Sequence, residues 1–318
     1  MGDVVLTSSL IEPLARKNFK PILVSYKPYA QLFKEDSRLE IISIEKENFW
    51  RNFKSLVERI NSYQPYAVFD LHRNLKTALL KSFLKASIKG SYKKRALRRR
   101  ICIFLNRFHL ADNLKKEPYS VVNAYMEPLK VLGIEISHLR PKIELNHQNR
   151  LETLKKHGLE GKNYIAIGVG ARYKKKRYPY FEKLAKLLKE KGFNPVLIGD
   201  KNDFELTKDW QGVVNLCGKL SLLESLHILS KAKFYIGNDS GATHMARAVG
   251  TKVAVIYGGT HPCLGFAPFP DEGIVISKFL PCSPCDLHGK GSCKKDFECL
   301  KIAPEGVLSE LERARFLD

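Results

Sequence analysis

No stretch of this sequence approaches the ~18 consecutive apolar residues that a membrane-spanning helix requires, so a helical passage through a bilayer is not expected of it. The chain does not open like a secretory signal either. No cationic segment precedes its first apolar residues, and Asp3 stands at the front of MGDVVLTSSL. A cytoplasmic location is therefore expected. Internal repeats and low-complexity tracts are missing. Acidic residues are scarce: 33 Asp and Glu face 54 Lys and Arg, a formal net charge of +21. That surplus does not set a fold, but it favours an anionic partner such as nucleic acid, an anionic membrane surface or a phosphorylated substrate. It is concentrated in two places. Lys89, Lys93, Lys94, Arg95, Arg98, Arg99 and Arg100 fall in one acid-free stretch, and Arg172, Lys174, Lys175, Lys176 and Arg177 in another.

What the chain does have is an alternation of short β-branched runs with amphipathic helical stretches, the pattern of an α/β protein with parallel sheets. In the first half, strands are expected at 21–25 (PILVS), 39–44 and 66–70, with a helix at 48–62 and another at 119–132 closed by Gly133. In the second half they are expected at 164–168, 194–199, 213–216, 233–237, 252–257 and 273–277. The irregular stretch 134–148, with Pro141, reads as a linker. With 318 residues, two domains of about 150 residues each are expected, at 1–143 and 144–318. The second reads as doubly wound, with ligands at the carboxyl ends of its strands.

Five local patterns carry chemistry. In KFYIGNDSGATHMARAVG (233–250) a strand runs through a small-residue turn into a helix whose first N–H groups can meet an anion. Asp239 or Ser240 is its expected N-cap, and an ordinary capped helix fits the same spacing. In IAIGVGARYKKKRYP (165–179) a strand enters a glycine-containing loop and then five cations. The third glycine of a dinucleotide fingerprint is missing and no P-loop is formed, but the cations suit a pyrophosphate. Gly2-Asp3 reads as the turn leaving a strand, ahead of a helix at 4–14. Asp70-Leu71-His72-Arg73-Asn74-Leu75-Lys76 closes a strand and opens a helix, offering polar and cationic groups to an acceptor or simply to solvent. Finally, Cys282, Cys285, Cys293 and Cys299 fit a structural zinc knuckle, free or redox-active thiols, or disulfides. A second C-x2-C pair is absent.

In chain order, Gly2-Asp3-Val4-Val5-Leu6-Thr7, the 70–76 segment with Thr77-Ala78-Leu79-Leu80, Lys176-Arg177-Tyr178-Pro179, Asp239-Ser240-Gly241 with His244, Gly258-Gly259-Thr260-His261-Pro262, and the cysteines followed by Ile302-Ala303-Pro304-Glu305 together resemble glycosyltransferase family 9. These are the ADP-heptose:lipopolysaccharide heptosyltransferases, and the tail is similar to heptosyltransferase II-like members. The resemblance covers nearly the whole chain. It implies a GT-B fold, two Rossmann-like doubly wound domains facing a central cleft, with acceptor bound by the amino-terminal one and nucleotide sugar by the other. It implies inverting transfer from ADP-heptose to the inner core, with no cofactor needed for the chemistry.

Through the resemblance Asp3 is the expected base and Lys176 the expected phosphate-binding lysine. Arg172, Ser240 and Gly241 support the diphosphate, Asp203 the ribose, Leu220 the adenine, and His244 completes the donor motif. Asp239 would cap its helix or bond a sugar hydroxyl. His72, Arg73 and Lys76 face the acceptor, a core lipid at an anionic inner-membrane surface to which the 89–100 cations would hold the protein. The family carries about ten residues before Gly2-Asp3, so a truncated first strand is expected. Two alternatives remain: a transferase of the same family with another sugar or acceptor, and a basic nucleic-acid-binding protein with a zinc knuckle. The latter lacks any aromatic-basic stacking signature.

Overall fold

The computed structural model describes residues 1–108, 110–116, 119–136 and 139–318; two residues of the expected linker, 137 and 138, lie outside them. Ten strands are described, all paired in parallel: β1 (Ile22–Tyr26), β2 (Glu40–Ile44), β3 (Ala67–Asp70), β4 (Ile88–Ser91), β5 (Ile165–Gly168), β6 (Pro195–Ile198), β7 (Val214–Asn215), β8 (Tyr235–Asn238), β9 (Val253–Ile256) and β10 (Gly273–Ile276). β5 to β10 form one six-stranded sheet in the order β10-β9-β8-β5-β6-β7. The residues of β5, β6, β8 and β9 are buried throughout and, apart from Asn238 at the end of β8, carry no polar side chain but the Tyr235 phenol, as helix-covered parallel strands should, whereas the outer strands β7 and β10 are more exposed. Ala166, Val196, Tyr235, Val253 and Val255 pack into one core on one face, and Ile165, Ile167, Leu197, Ile236 and Ile256 into a second on the other.

The strand order reverses between β5 and β8, because β5 lies between β6 and β8. Loops leaving the two strands at their carboxyl ends diverge at such a point and leave a crevice. The 169–177 cationic loop and the Asp239-Ser240-Gly241 turn border it. Asn238 holds them together: its Oδ1 accepts from the Tyr178 N–H at 2.9 Å and its Nδ2 donates to the Val169 carbonyl at 2.9 Å.

The first half is also α/β, but its strands form two separate parallel pairs, β1-β2 and β3-β4. Between them lies a cavity of about 890 Å³ lined by all of β1 and all of β3. Each of these strands has one bonded neighbour, leaving one backbone edge of each unpaired among the described residues. The opening of the chain differs from the expected turn and single helix. Gly2 and Asp3 lie inside a short helix, Gly2–Leu6, which tightens to a 3-10 segment, Thr7–Leu10, before a second helix, Ile11–Arg16. The hydroxyls of Thr7 and Ser9 donate back to the carbonyls of Val4 and Leu6 at 2.6 and 2.9 Å. Such competition with the backbone ladder is what shortens a helix at Ser and Thr.

The halves meet through specific polar contacts. His227 Nε2 lies 2.8 Å from a Glu35 carboxylate oxygen, and Glu35 also accepts from the Asn149 side chain at 2.6 Å. The Val121 N–H donates to the Gly265 carbonyl at 2.9 Å.

Candidate active site

The Gly2–Leu6 helix packs its amino end on the start of the Gly241–Ala248 helix. The approach is backbone to backbone. A Cβ on Gly2 would stand 2.7 Å from the His244 ring and 3.7 Å from the Gly241 Cα, and one on Gly241 would collide with the Met1 side chain. A side chain at position 2 would force the buried His244 ring to shift, whereas one at 241 would displace only the end of the Met1 side chain. The close approach brings Asp3, on an exposed first turn, to the mouth of the crevice. The phenol of Tyr125 donates to Asp3 Oδ1 at 3.1 Å. Burial and the neighbouring Asp3 carboxylate push the Tyr125 phenol well above its usual range, so it remains a donor.

At the switch point, next to Gly241, stands a largely buried ion pair. Lys176 Nζ lies 2.7 Å from Asp239 Oδ2, and the Thr260 hydroxyl donates to the same oxygen at 2.8 Å. Burial would raise the Asp239 carboxyl, but the charge and hydrogen bond of Lys176, with help from His244 and Thr260, outweigh it and hold the group below its ordinary value. Asp239 therefore anchors the lysine and does not cap the helix. Ser240 occupies the N-cap position, without a side-chain capping bond. His244 is buried beside Arg247, whose guanidinium lies 3.3 Å from Nδ1. Burial first, then the Arg247 charge, lowers its pKa to about 3, so the ring is neutral.

The cationic loop is clamped from two sides. Gly259 N–H donates to the Lys175 carbonyl at 2.7 Å, and a Cβ on Gly258 would meet that oxygen at 2.5 Å. On the other side, a Cβ on Gly289 would meet the Lys176 stem at 2.8 Å. The cysteine-rich segment thus lies over Lys175 and Lys176 and carries His288 into the cavity lined by Asp3. Both Asp3 and Lys176 act on the His288 charge, in opposite senses, and burial lowers its pKa overall.

The remaining expected site residues fall as follows. Arg172 is exposed, 5.4 Å over the Tyr173 ring, and its charge reaches the Met1 amino group. Asp203 is only 4% exposed, under Gly170 and Gly199. It closes a capping box with Asp200 across a 2.9 Å hydrogen bond and lies 3.9 Å from Arg177. Leu220 is half-buried against the apolar cluster that the two halves share, in which Val5, Leu32 and Phe33 join Ala166, Val196 and Leu226. His72 lines the cavity. Arg73 donates to the Tyr92 carbonyl at 3.4 Å from a left-handed backbone. Both amides are folded over the Asp70 carboxylate, at 3.0 and 2.7 Å. Lys76 turns to an aromatic pair instead, 5.2 Å over Phe49 and 5.5 Å over Trp50.

The zinc reading of the cysteines is not supported. Among the described residues, no three or more His, Cys, Asp or Glu groups are placed to hold a metal ion. Cys285 Sγ donates to the Cys282 carbonyl at 3.2 Å and Cys293 Sγ accepts from the Phe297 N–H at 3.3 Å. These thiols serve as local turn partners, a role that spacing alone does not distinguish from ligation. His288, Tyr125 and Arg99, which also lines the cavity, were not singled out as site residues from sequence. Only tertiary placement brings them to Asp3.

Two α/β halves with a crevice between Asp3 and a lysine-held switch point define a GT-B architecture. The chain belongs to glycosyltransferase family 9 (heptosyltransferase), whose profile matches residues 53–293. Among curated relatives it is similar to lipooligosaccharide heptosyltransferase 2 of Haemophilus ducreyi, 27% identical over 153 residues, 43% of either chain; the matched part is thus less than half the length of that relative. Among solved structures it is similar to the family 9 glycosyltransferase of Veillonella parvula, TM-score 0.77 at 21% identity over 98% of this chain and 93% of that one. It is also similar to the E. coli heptosyltransferase WaaC with ADP, TM-score 0.71 at 17% identity over 99% and 97%. No helix of the described residues is long and apolar enough to cross a membrane.

Proposed function

We propose that the protein is an inverting glycosyltransferase moving heptose from ADP-heptose to the lipopolysaccharide inner core at the cytoplasmic face of the inner membrane. The observation that carries this reading is the close approach of Gly2 to Gly241, which sets Asp3 beside the switch-point turn whose Asp239 holds Lys176. An acceptor hydroxyl attacks the anomeric carbon of the donor sugar while the bond to the diphosphate breaks. Asp3 takes the hydroxyl proton, a transfer of the general-base kind, with Tyr125 fixing one carboxylate oxygen. Negative charge grows on the leaving diphosphate, where Lys176 and the N–H groups at the start of the Gly241–Ala248 helix meet it without reorganisation. Asp239 keeps Lys176 aimed while the donor is absent. Membership of the family supports both the donor and the acceptor class.

The test is release of ADP from ADP-heptose by purified protein with a heptose-deficient core acceptor. Asp3→Asn is expected to lower kcat about 10²- to 10⁴-fold with little change in donor KM. Full turnover by Asp3→Asn would remove the base assignment. A response confined to another nucleotide sugar in the same assay would point to a different transferase of this family.

A further inference from the structure

The helix Ala96–Asn106 carries large apolar side chains on its outer face as well as on its inner one. Leu97, Ile101, Phe104 and Phe108 follow one another at helical spacings of four, three and four, on one face of the helix and of the turn that extends it. Leu97 is 72% exposed, Phe104 58% and Phe108 61%. Leu110 continues the exposed apolar patch. The opposite face is buried through Cys102, Ile103 and Asn106, and polar side chains fasten it. Arg98 donates to the carbonyls of Cys263 and Leu114 at 3.2 and 3.0 Å, and Asn106 to that of Pro284 at 3.3 Å. A helix of a water-soluble domain normally turns its apolar stripe inward. Here Cys102 and Ile103 already fill the inner face against Cys263 and Leu264, and a second set of large apolar side chains faces out.

Exposed cations border the stripe: Lys93, Lys94 and Arg95 before it, Arg100 and Arg107 along one flank. From 71 to 111 the sequence has no Asp or Glu at all. Apolar anchors beside long cationic side chains that can reach back to headgroup phosphates are what an interfacial helix needs. Phosphates of a nucleic acid would satisfy the cations but leave Leu97 and Ile101 in water, and a purely apolar protein partner would leave the cations unmatched.

We infer that the Ala96–Asn106 helix is a membrane-seating element, lying in the surface of an anionic bilayer with Leu97, Ile101, Phe104 and Phe108 among the acyl chains. The same helix carries Arg99 on its inner side, in the cavity shared with Asp3 and His288. Seating therefore holds the Asp3 cavity close to the lipid surface, behind a single helix, and the use of that closeness for catalysis rests on the transferase reading above, whereas the docking itself does not.

The test is flotation of the intact protein with vesicles of phosphatidylcholine alone or mixed with phosphatidylglycerol, beside a single-stranded RNA oligonucleotide. Binding is expected to the phosphatidylglycerol vesicles, at least about tenfold tighter than to the neutral ones. Ile101→Ser with Phe104→Ser, both solvent-facing, is expected to reduce binding at least about tenfold while thermal unfolding is unchanged. Phe104→Trp should shift its emission to the blue on binding and be quenched by lipids brominated in the acyl chain. The Ser variant is expected to keep its ADP release on a delipidated, water-soluble acceptor. If no transfer occurs with any acceptor while flotation and quenching hold, the transferase reading fails and the seating element stands. Binding unaffected by the Ser substitutions, no acyl quenching, or preference for RNA over vesicles would overturn the seating element.

Discussion

At the scale of single residues, the site is governed by one buried pair and one buried imidazole. Lys176 and Asp239 are both largely removed from water, and each justifies the other's burial. Truncating one leaves an uncompensated charge, at a cost of about 3 kcal/mol. Lys176→Met is therefore expected to lower Tm, and Lys176→Met with Asp239→Asn to recover most of the loss while transfer stays low. Calorimetry of the three proteins checks this. Recovery of stability without activity separates the lysine's proposed role at the diphosphate from its role in the fold. His244 sets an acid limit. Its folded pKa of about 3 lies below its ordinary 6.5, so the unfolded chain binds a proton that the folded one refuses. The resulting stability is present above pH 6.5 and is lost as pH falls toward 3, at up to about 1.4 kcal/mol per unit. His244→Gln is expected to flatten the fall in Tm across that window. Asp239 acts lower on the scale: its carboxyl is held below its ordinary 3.8, so its contribution is lost only as pH drops beneath that value.

At the scale of elements, glycines decide how closely loops may pass. Gly258 lies against the Lys175 backbone oxygen, an atom that cannot swing aside. Gly258→Ala is expected to cost about 1–3 kcal/mol and to weaken donor binding by displacing the cationic loop, read by chemical denaturation and by donor KM. Gly306 is the contrast: it lies within the Pro304–Arg313 helix with open space around it, and Gly306→Ala is expected to add about 0.5–1 kcal/mol. Elements differed in how plainly they could be read. β5, β8 and β9 are continuous apolar runs bounded by turn residues, and their periodicity places them within about two residues. β4, Ile-Lys-Gly-Ser, has no apolar alternation; it is a strand only because β3 offers it an edge, so it was hidden inside the basic stretch. Lys176 and Asp239 could be singled out because each follows the end of an apolar strand, whereas Asp3 was marked through the resemblance and lies within a helix and not in the expected turn. His288 and Tyr125 were not legible, since their arrival at Asp3 depends on packing between segments more than 100 residues apart.

At the scale of the whole molecule, charge and the split first sheet dominate. A net charge of +21 makes association with anionic partners steep in ionic strength, so turnover on a phosphorylated acceptor is expected to fall as salt rises, with donor KM moving less. The cavity between β1 and β3 has a different consequence. Apolar walls, with a strand edge on either side that is unpaired among the described residues, make a berth that a solvatochromic dye of the anilinonaphthalene kind can enter while the protein is still native. Such dyes ordinarily report a loosened core; here bright emission is expected at low temperature, alongside an intact near-ultraviolet dichroism spectrum and a cooperative melt.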